Sequence, residues 1–265
     1  MGGDSPGAIE KRRKVKSMRY VYGSFLCLSI GLVGLAFSSH VAAQDRGTAQ
    51  SRVIWAKNAT AFLCQRGGQT IKAPDHLTSA RVMCEYDRPF GLQVITADGH
   101  RQEVGLRYGA NELLWAPNSR SFFVDGGANS YAGFFTDVYR FEDSDRVVSP
   151  PVTETAFQDM VKSFPPCKAS NRDETECAKM AHDPEYYNMS GLGWSTDSSA
   201  VYVFAEVPCS SRYGGIMCQV LGYELSVPTG RILKRLSAQE TKREWGKFAA
   251  WKINIPEPPE YGPPM

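Results

Sequence analysis

Groups able to do chemistry are few and scattered along this 265-residue chain. Of its four histidines, His40 falls in the N-terminal segment, while His76, His100 and His182 sit in a polar loop, a hairpin turn and an irregular stretch. His182 adjoins Asp183, but chain neighbours cannot orient one another as the Asp of a catalytic triad orients its His. Ser190 and Ser195 lie beside a turn without a recognisable base. No G-x-S-x-G elbow, H-E-x-x-H helix, P-loop or dinucleotide fingerprint occurs. Glu142, Asp143 and Asp145 offer oxygen ligands at close spacing, yet the loop lacks the central Gly and terminal Glu of a calcium site. Paired-carboxylate chemistry needs two acids across one cleft, and nothing in the order of Glu85, Asp87, Asp125 and Asp137 pairs them. No catalytic residue, metal site or cofactor is therefore assigned.

Aromatic side chains point to binding instead. Phe122, Phe123, Tyr131, Phe134, Phe135, Tyr139 and Phe141 crowd one stretch. Alternation along a strand sends Phe134 and Phe135 to opposite faces, so one face is core and the other meets a helix, a second sheet or a partner. Core packing accounts for most of these rings. The sharper expectation is a binding groove rimmed by Tyr131, Tyr139, Arg212 and Tyr213.

The first 43 residues read as an address. A basic run from Lys11 to Arg19 precedes an apolar stretch of about 17 residues from Val21 to Phe37, and small residues lead up to Ala43. That order is expected of a secretory signal cleaved after Ala43, with a retained anchor as the alternative and Met18 as a second possible start. Six of the 30 basic and two of the 28 acidic residues lie in this segment, so the remainder carries a formal charge of −2. A nucleic-acid partner loses its electrostatic support. Cys27 leaves with the segment, and six cysteines remain. An even count in an exported chain implies disulfides, and local closure favours Cys64–Cys84, Cys167–Cys177 and Cys209–Cys218. None has the CxxC spacing of a redox pair.

The elements that must position these groups are mainly strands. Three stretches start with a Trp, pass a short polar turn and enter an apolar run: Trp55 with Asn58, Trp115 with Asn118, and Trp194 with Asp197. Their intervals are 60 and 79 residues, which predicts repeated antiparallel sheet units over 44–236. Between the second and third, residues 152–190 form an insertion. Ala156, Phe157, Met160, Val161 and Phe164 fall at helical spacing there, with Thr153 as the expected cap and Pro165 and Pro166 as the stop. A disulfide-tied loop over 167–177 follows. Ser237 and Glu240 have capping-box spacing, predicting a C-terminal helix within 237–250, followed by a Pro-rich tail over 251–265.

Trp115-Ala-Pro-Asn118-Ser and Trp194-Ser-Thr-Asp197-Ser resemble the W-S-P-D motif of TolB-type, WD40-like β-propeller blades, and Thr96-Ala-Asp98-Gly resembles the turn before it. The resemblance implies a propeller-like fold, incomplete or open because only three such units are visible. It implies architectural roles for Trp55, Trp115, Asn118, Trp194 and Asp197, and none in catalysis. The resulting expectation is an exported, periplasmic or secreted protein that binds another envelope or secreted protein, with self-association compatible and no stable membrane span after cleavage. A hydrolase beside the insertion and a glycan-binding module stay open as alternatives.

Overall fold

Apolar runs broken by short polar turns make the described part of this chain mainly β. The computed structural model describes residues 56–64, 68–86, 88–127, 133–143, 146–165 and 174–249, all in the second of two compact units, Arg46–Met265. The N-terminal segment, Trp55, Tyr131, Cys167 and the Pro-rich tail lie outside the described residues, as do the side chains of Cys177 and Arg212.

Three antiparallel sheets result. The first runs in the order β2 (Thr70–Lys72), β3 (Ser79–Glu85), β4 (Arg88–Ile95) and β5 (Arg101–Gly105). The second comprises β6 (Ala110–Trp115), β7 (Ser121–Gly127), β8 (Phe134–Glu142) and β9 (Arg146–Val148), with the two-residue β1 (Thr60–Ala61) on the β6 edge. The third is β10 (Asn188–Trp194), β11 (Ala200–Glu206), β12 (Val220–Ser226) and β13 (Ile232–Ser237). Each is an up-and-down meander with open edges. Two helices, α1 (Val152–Ser163) and α2 (Glu174–His182), separate the second sheet from the third, and α3 (Ala238–Trp245) follows β13.

The middle sheet is buried on both faces. Along β7, Phe122 and Val124 join the core shared with the first sheet, containing Val82, Leu92, Trp115 and Tyr139. Phe123, on the opposite face, joins a core with Trp194, Val203, Tyr187 and the α1 residues Phe157 and Met160. The Trp115 indole N–H donates to the Ile71 carbonyl across 3.4 Å, and Trp194 stacks on Phe123 with centroids 5.5 Å apart. A smaller core under α3 holds Leu192, Phe204, Leu236 and Trp245. Ser237 and Glu240 form a reciprocal capping box at the start of α3, satisfying orphan N–H groups there. The cystine bridges Cys64–Cys84 and Cys209–Cys218 close short loops, with Cα separations of 5.5 and 4.4 Å.

Three hairpins share one turn. In Ala73-Pro-Asp75-His76, Ala116-Pro-Asn118-Ser119 and Ser195-Thr-Asp197-Ser198, the last residue has φ of 59°, 58° and 61°. The side chain before it accepts from the backbone N–H two residues on: Leu77 to Asp75, Arg120 to Asn118 and Ser199 to Asp197. An Asx turn makes that left-handed step tolerable. The serines then join the sheets, because Asp75 N–H donates to Ser119 Oγ at 2.9 Å and Asn118 N–H donates to Ser198 Oγ at 3.1 Å.

This corrects the expected first unit. Asn58 sits in a turn, but Ala56 before it bridges to Ala249, so it closes no hairpin with the 60–64 stretch. The first-sheet counterpart of Asn118 is Asp75, whose Ala-Pro-Asp sequence lacks the leading Trp. The insertion also differs, since α2 begins at Glu174, inside the 167–177 stretch expected as a polar loop. The cap of α1 is Pro151, and the Thr153 hydroxyl donates instead to the Thr136 carbonyl of β8.

Close approach of α3 to its sheet depends on Gly222, where a Cβ would lie 2.7 Å from Trp245 Cζ3 and would also meet the Thr241 hydroxyl. Gly222→Ala is expected to lose about 1–3 kcal/mol of stability through overpacking. Urea unfolding checks this, and an unchanged midpoint would show that α3 docks elsewhere.

Candidate functional site

Large aromatic groups reach solvent at one end of the first sheet. Tyr86 caps the β3–β4 hairpin at φ 49° and is 89% exposed. Tyr108, in the β5–β6 loop, is 69% exposed, and Phe90 is 50% exposed. A left-handed backbone at a bulky residue costs on the order of 1 kcal/mol or more, and Tyr86 gains no burial in exchange. The hairpin is shaped by Pro89, which pairs with Cys84 just after a register shift at Met83. Proline has no N–H for the ladder, so an irregular strand start suits it. The Cys64–Cys84 bridge ties the same hairpin to the chain before β2. Between the rings, Arg88 Nη1 lies 3.4 Å from the Tyr108 hydroxyl, with its guanidinium 5.8 Å from that ring's centre. The shallow cleft so formed has a volume of about 420 Å³.

A second cleft, of about 410 Å³, adjoins the first through Tyr108 and runs between Arg107, Phe135, Thr153 and Met189. Arg107 Nε lies 3.2 Å from Asp137 Oδ2, and its guanidinium sits 5.2 Å over the Phe135 ring. Burial pushes the Asp137 carboxyl up, against the opposing pull of Arg107.

The expected groove is not rimmed by Tyr139 and Tyr213. Tyr139 is 8% exposed and stacks on Phe122 at 5.0 Å, in the core between the first and middle sheets. Tyr213 is 2% exposed, and its hydroxyl donates to the Tyr186 carbonyl. Both are packing residues. The large rings most exposed among the described residues are Tyr86, Phe90 and Tyr108, which sequence density missed. Their signal was position: Tyr86 beside Asp87-Arg88-Pro89 and Tyr108 beside Gly109 sit in turns, where alternation cannot bury a ring.

Acidic groups do gather at another site. A cleft of about 780 Å³ collects Asp75, Asp98, Asn118, Arg120 and Asp143 from turns of the first two sheets. A general acid or base works best with its pKa near the working pH. Asp75 and Asp98 are held the other way. Partial burial of Asp75 is outweighed by the N–H and hydroxyl of Thr78 and the N–H of Leu77, which keep it below its usual value. The Thr96 hydroxyl lowers Asp98, whose Oδ2 lies 3.6 Å from His100 Nε2. In the third sheet the Ser195 hydroxyl and the Ser199 N–H and hydroxyl bring Asp197 down to about 2. Their oxygens build turns.

A different set of carboxyls is sealed between sheets. Glu112 and Asp125 are directly opposed on β6 and β7, and both are buried. Asp125 Oδ1 accepts from the Gly191 N–H of β10 at 2.9 Å, while Glu112 Oε1 accepts from Ala56 N–H at 3.1 Å. Thr136 stands across the ladder from Asp125, yet its hydroxyl and Asp125 Oδ2 make no hydrogen bond of ordinary geometry. Burial raises Asp125 well above its usual value, and the charge of Glu112 raises it further. Burial also lifts Glu112 to about 7 and Glu206 to about 7, only partly offset by Ala56 N–H and the Asn188 amide respectively. These groups line none of the three clefts above, and their burial makes their protonation a matter of stability.

The sign follows from proton uptake. The folded chain keeps protons on Glu112 and Glu206 that the unfolded chain releases between pH 4.5 and about 7. Their contribution to stability is therefore full below pH 4.5 and is lost as pH rises through about 7, by on the order of 3 kcal/mol per carboxyl. The turn carboxylates oppose this only below pH 3.8, where Asp75, Asp98 and Asp197 begin to protonate in the unfolded chain. Glu112→Gln and Glu206→Gln keep an acceptor oxygen and are expected to raise stability at pH 8 and flatten its decline. Urea midpoints from pH 5 to 8 measure this; a parent protein equally stable across that range would contradict it.

No helix among the described residues is long and apolar enough to cross a membrane, and among them no group of three or more His, Cys, Asp or Glu residues is placed to hold a metal. No known family model matches the chain, and comparison with curated proteins finds no match.

Proposed function

We propose that this chain is an exported, non-enzymatic interaction protein that contacts another envelope or secreted protein through the aromatic end of its first sheet. The observation that carries the reading is the exposed cluster of Tyr86, Phe90 and Tyr108 around Arg88. Tyr and Arg are the side chains that most often anchor protein interfaces, and a cluster of rings held in water serves no folding purpose. The basic, apolar, small-residue order of residues 1–43 supports export. The two cystines are compatible with a periplasmic or secreted protein.

We read the three meanders and their matching turns as degenerate TolB-type blades, with the Asx turns as the architectural residue set. A hydrolase finds less support, because Asp75 and Asp98 at the acidic cleft are committed to turns and the raised Glu112, Asp125 and Glu206 are buried. Glycan binding also finds less, since Glu85 and Arg88, rather than side-chain amides, flank the exposed rings.

A Tyr86→Ala/Phe90→Ala double variant tests this. Both rings are exposed, so stability is expected to stay within about 0.5 kcal/mol of the parent. Capture of a partner from envelope extract, quantified by mass spectrometry against the parent, is expected to fall at least about tenfold, as for the loss of hot-spot rings. Identical capture profiles would remove the aromatic end as the contact surface.

A further inference from the structure

Two features of one chain fit each other: an aromatic surface carrying arginine, and a segment rich in proline and glutamate. The two clefts that share Tyr108 are bordered by Tyr86, Phe90 and Phe135; Arg88 stands there beside Glu85, and Arg107, paired with Asp137, beside Glu185. Aromatic grooves of this kind take polyproline II segments, whose backbone needs no hydrogen bonds from the receptor. Residues 255–264 read Ile-Pro-Glu-Pro-Pro-Glu-Tyr-Gly-Pro-Pro. With three residues per turn, Ile255, Pro258, Tyr261 and Pro264 fall on one edge, and Glu257 and Glu260 on another.

We propose that residues 255–264 of this chain dock on its own Tyr86–Phe90–Tyr108 surface, with Glu257 and Glu260 facing Arg88 and Arg107. The proposal rests on the reading of that surface as a protein-binding site, and names its resident ligand. The route is short. Ala249 pairs with Ala56, whose N–H reaches Glu112 on β6. Glu112 is four residues from Tyr108, about 13 Å along an extended chain. The bridge and the side-chain hydrogen bond add about 10 Å to that path, and the nine residues from Ala250 to Pro258 span up to about 30 Å, so Pro258 is within reach of Tyr108. The docked segment covers rings that otherwise stand in water, and an incoming partner must displace it.

The test replaces Tyr86 with the photo-crosslinking residue p-benzoylphenylalanine in the full chain, which keeps an aromatic ring at that position. Irradiation of the purified protein is expected to give an adduct within 255–264 at monomer mass. Pro258→Gly/Pro259→Gly, which removes the preorganised helix without touching the sheets, is expected to cut its yield about fivefold or more. Arg88→Glu is expected to cut it as well. An adduct at dimer mass overturns the proposal by assigning a second copy as occupant. Absence of any adduct in 255–264 also overturns it. If irradiation in envelope extract then joins Tyr86 to a foreign protein, the interaction reading stands while this inference fails; with no adduct of either kind, both fail.

Discussion

Burial of the middle sheet on both faces is the constraint from which the remaining features follow. Strand β7 carries it: Phe122 and Val124 pack toward the first sheet, while Phe123 and Asp125 face the third. A strand covered on both sides has no solvent face for a polar residue, so Asp125 must find a partner inside the protein. It takes the Gly191 N–H of β10, and the absence of a side chain at Gly191 lets Phe123 pack there, where a Cβ would come within 2.8 Å of the ring. One interface thus combines a hydrogen bond that sets register with an apolar contact that supplies most of the energy.

That constraint sorts the acidic residues into two populations. Asp75, Asp98 and Asp197 sit in hairpin turns, accept several hydrogen bonds and favour the charged form. Glu112, Asp125 and Glu206 lie between sheets and favour the neutral form. Hydrogen bonds to a carboxylate and desolvation act in opposite directions on the same chemical group, and location decides between them. None of these six carboxyls combines a raised pKa with a place in the clefts around Asp98 or Tyr108. Energetically, the inner group makes the fold more stable under mild acid than at neutral pH, the reverse of the more common case in which ionised carboxylates stabilise.

The aromatic residues divide by the same principle. Rings within strands of the two cores are buried, including Tyr139, with Tyr213 held in the loop between β11 and β12. Rings in the hairpin tip and the β5–β6 loop lie beyond the reach of any neighbouring sheet. Tyr86 is held there by a left-handed backbone and a nearby disulfide, so its presentation depends on local geometry more than on packing.

Local pattern sufficed for much of the architecture. Apolar runs between polar turns marked strands such as β7 and β11, Ser237 and Glu240 marked the start of α3, and short cysteine spacing anticipated both bridges among the described residues. These are properties of a few consecutive residues or a short loop, so they are visible without the fold. Alternation separates two faces of a strand but says nothing of what covers the second. Tertiary structure alone therefore decided that β7 is covered twice and that Tyr139 and Tyr213 are core. It also moved the first turn from Asn58 to Asp75, because an Asx turn becomes a hairpin only when both flanking strands have partners, and Ala56 had already paired with Ala249. Pairing between distant segments made that choice, through contacts that no local window contains.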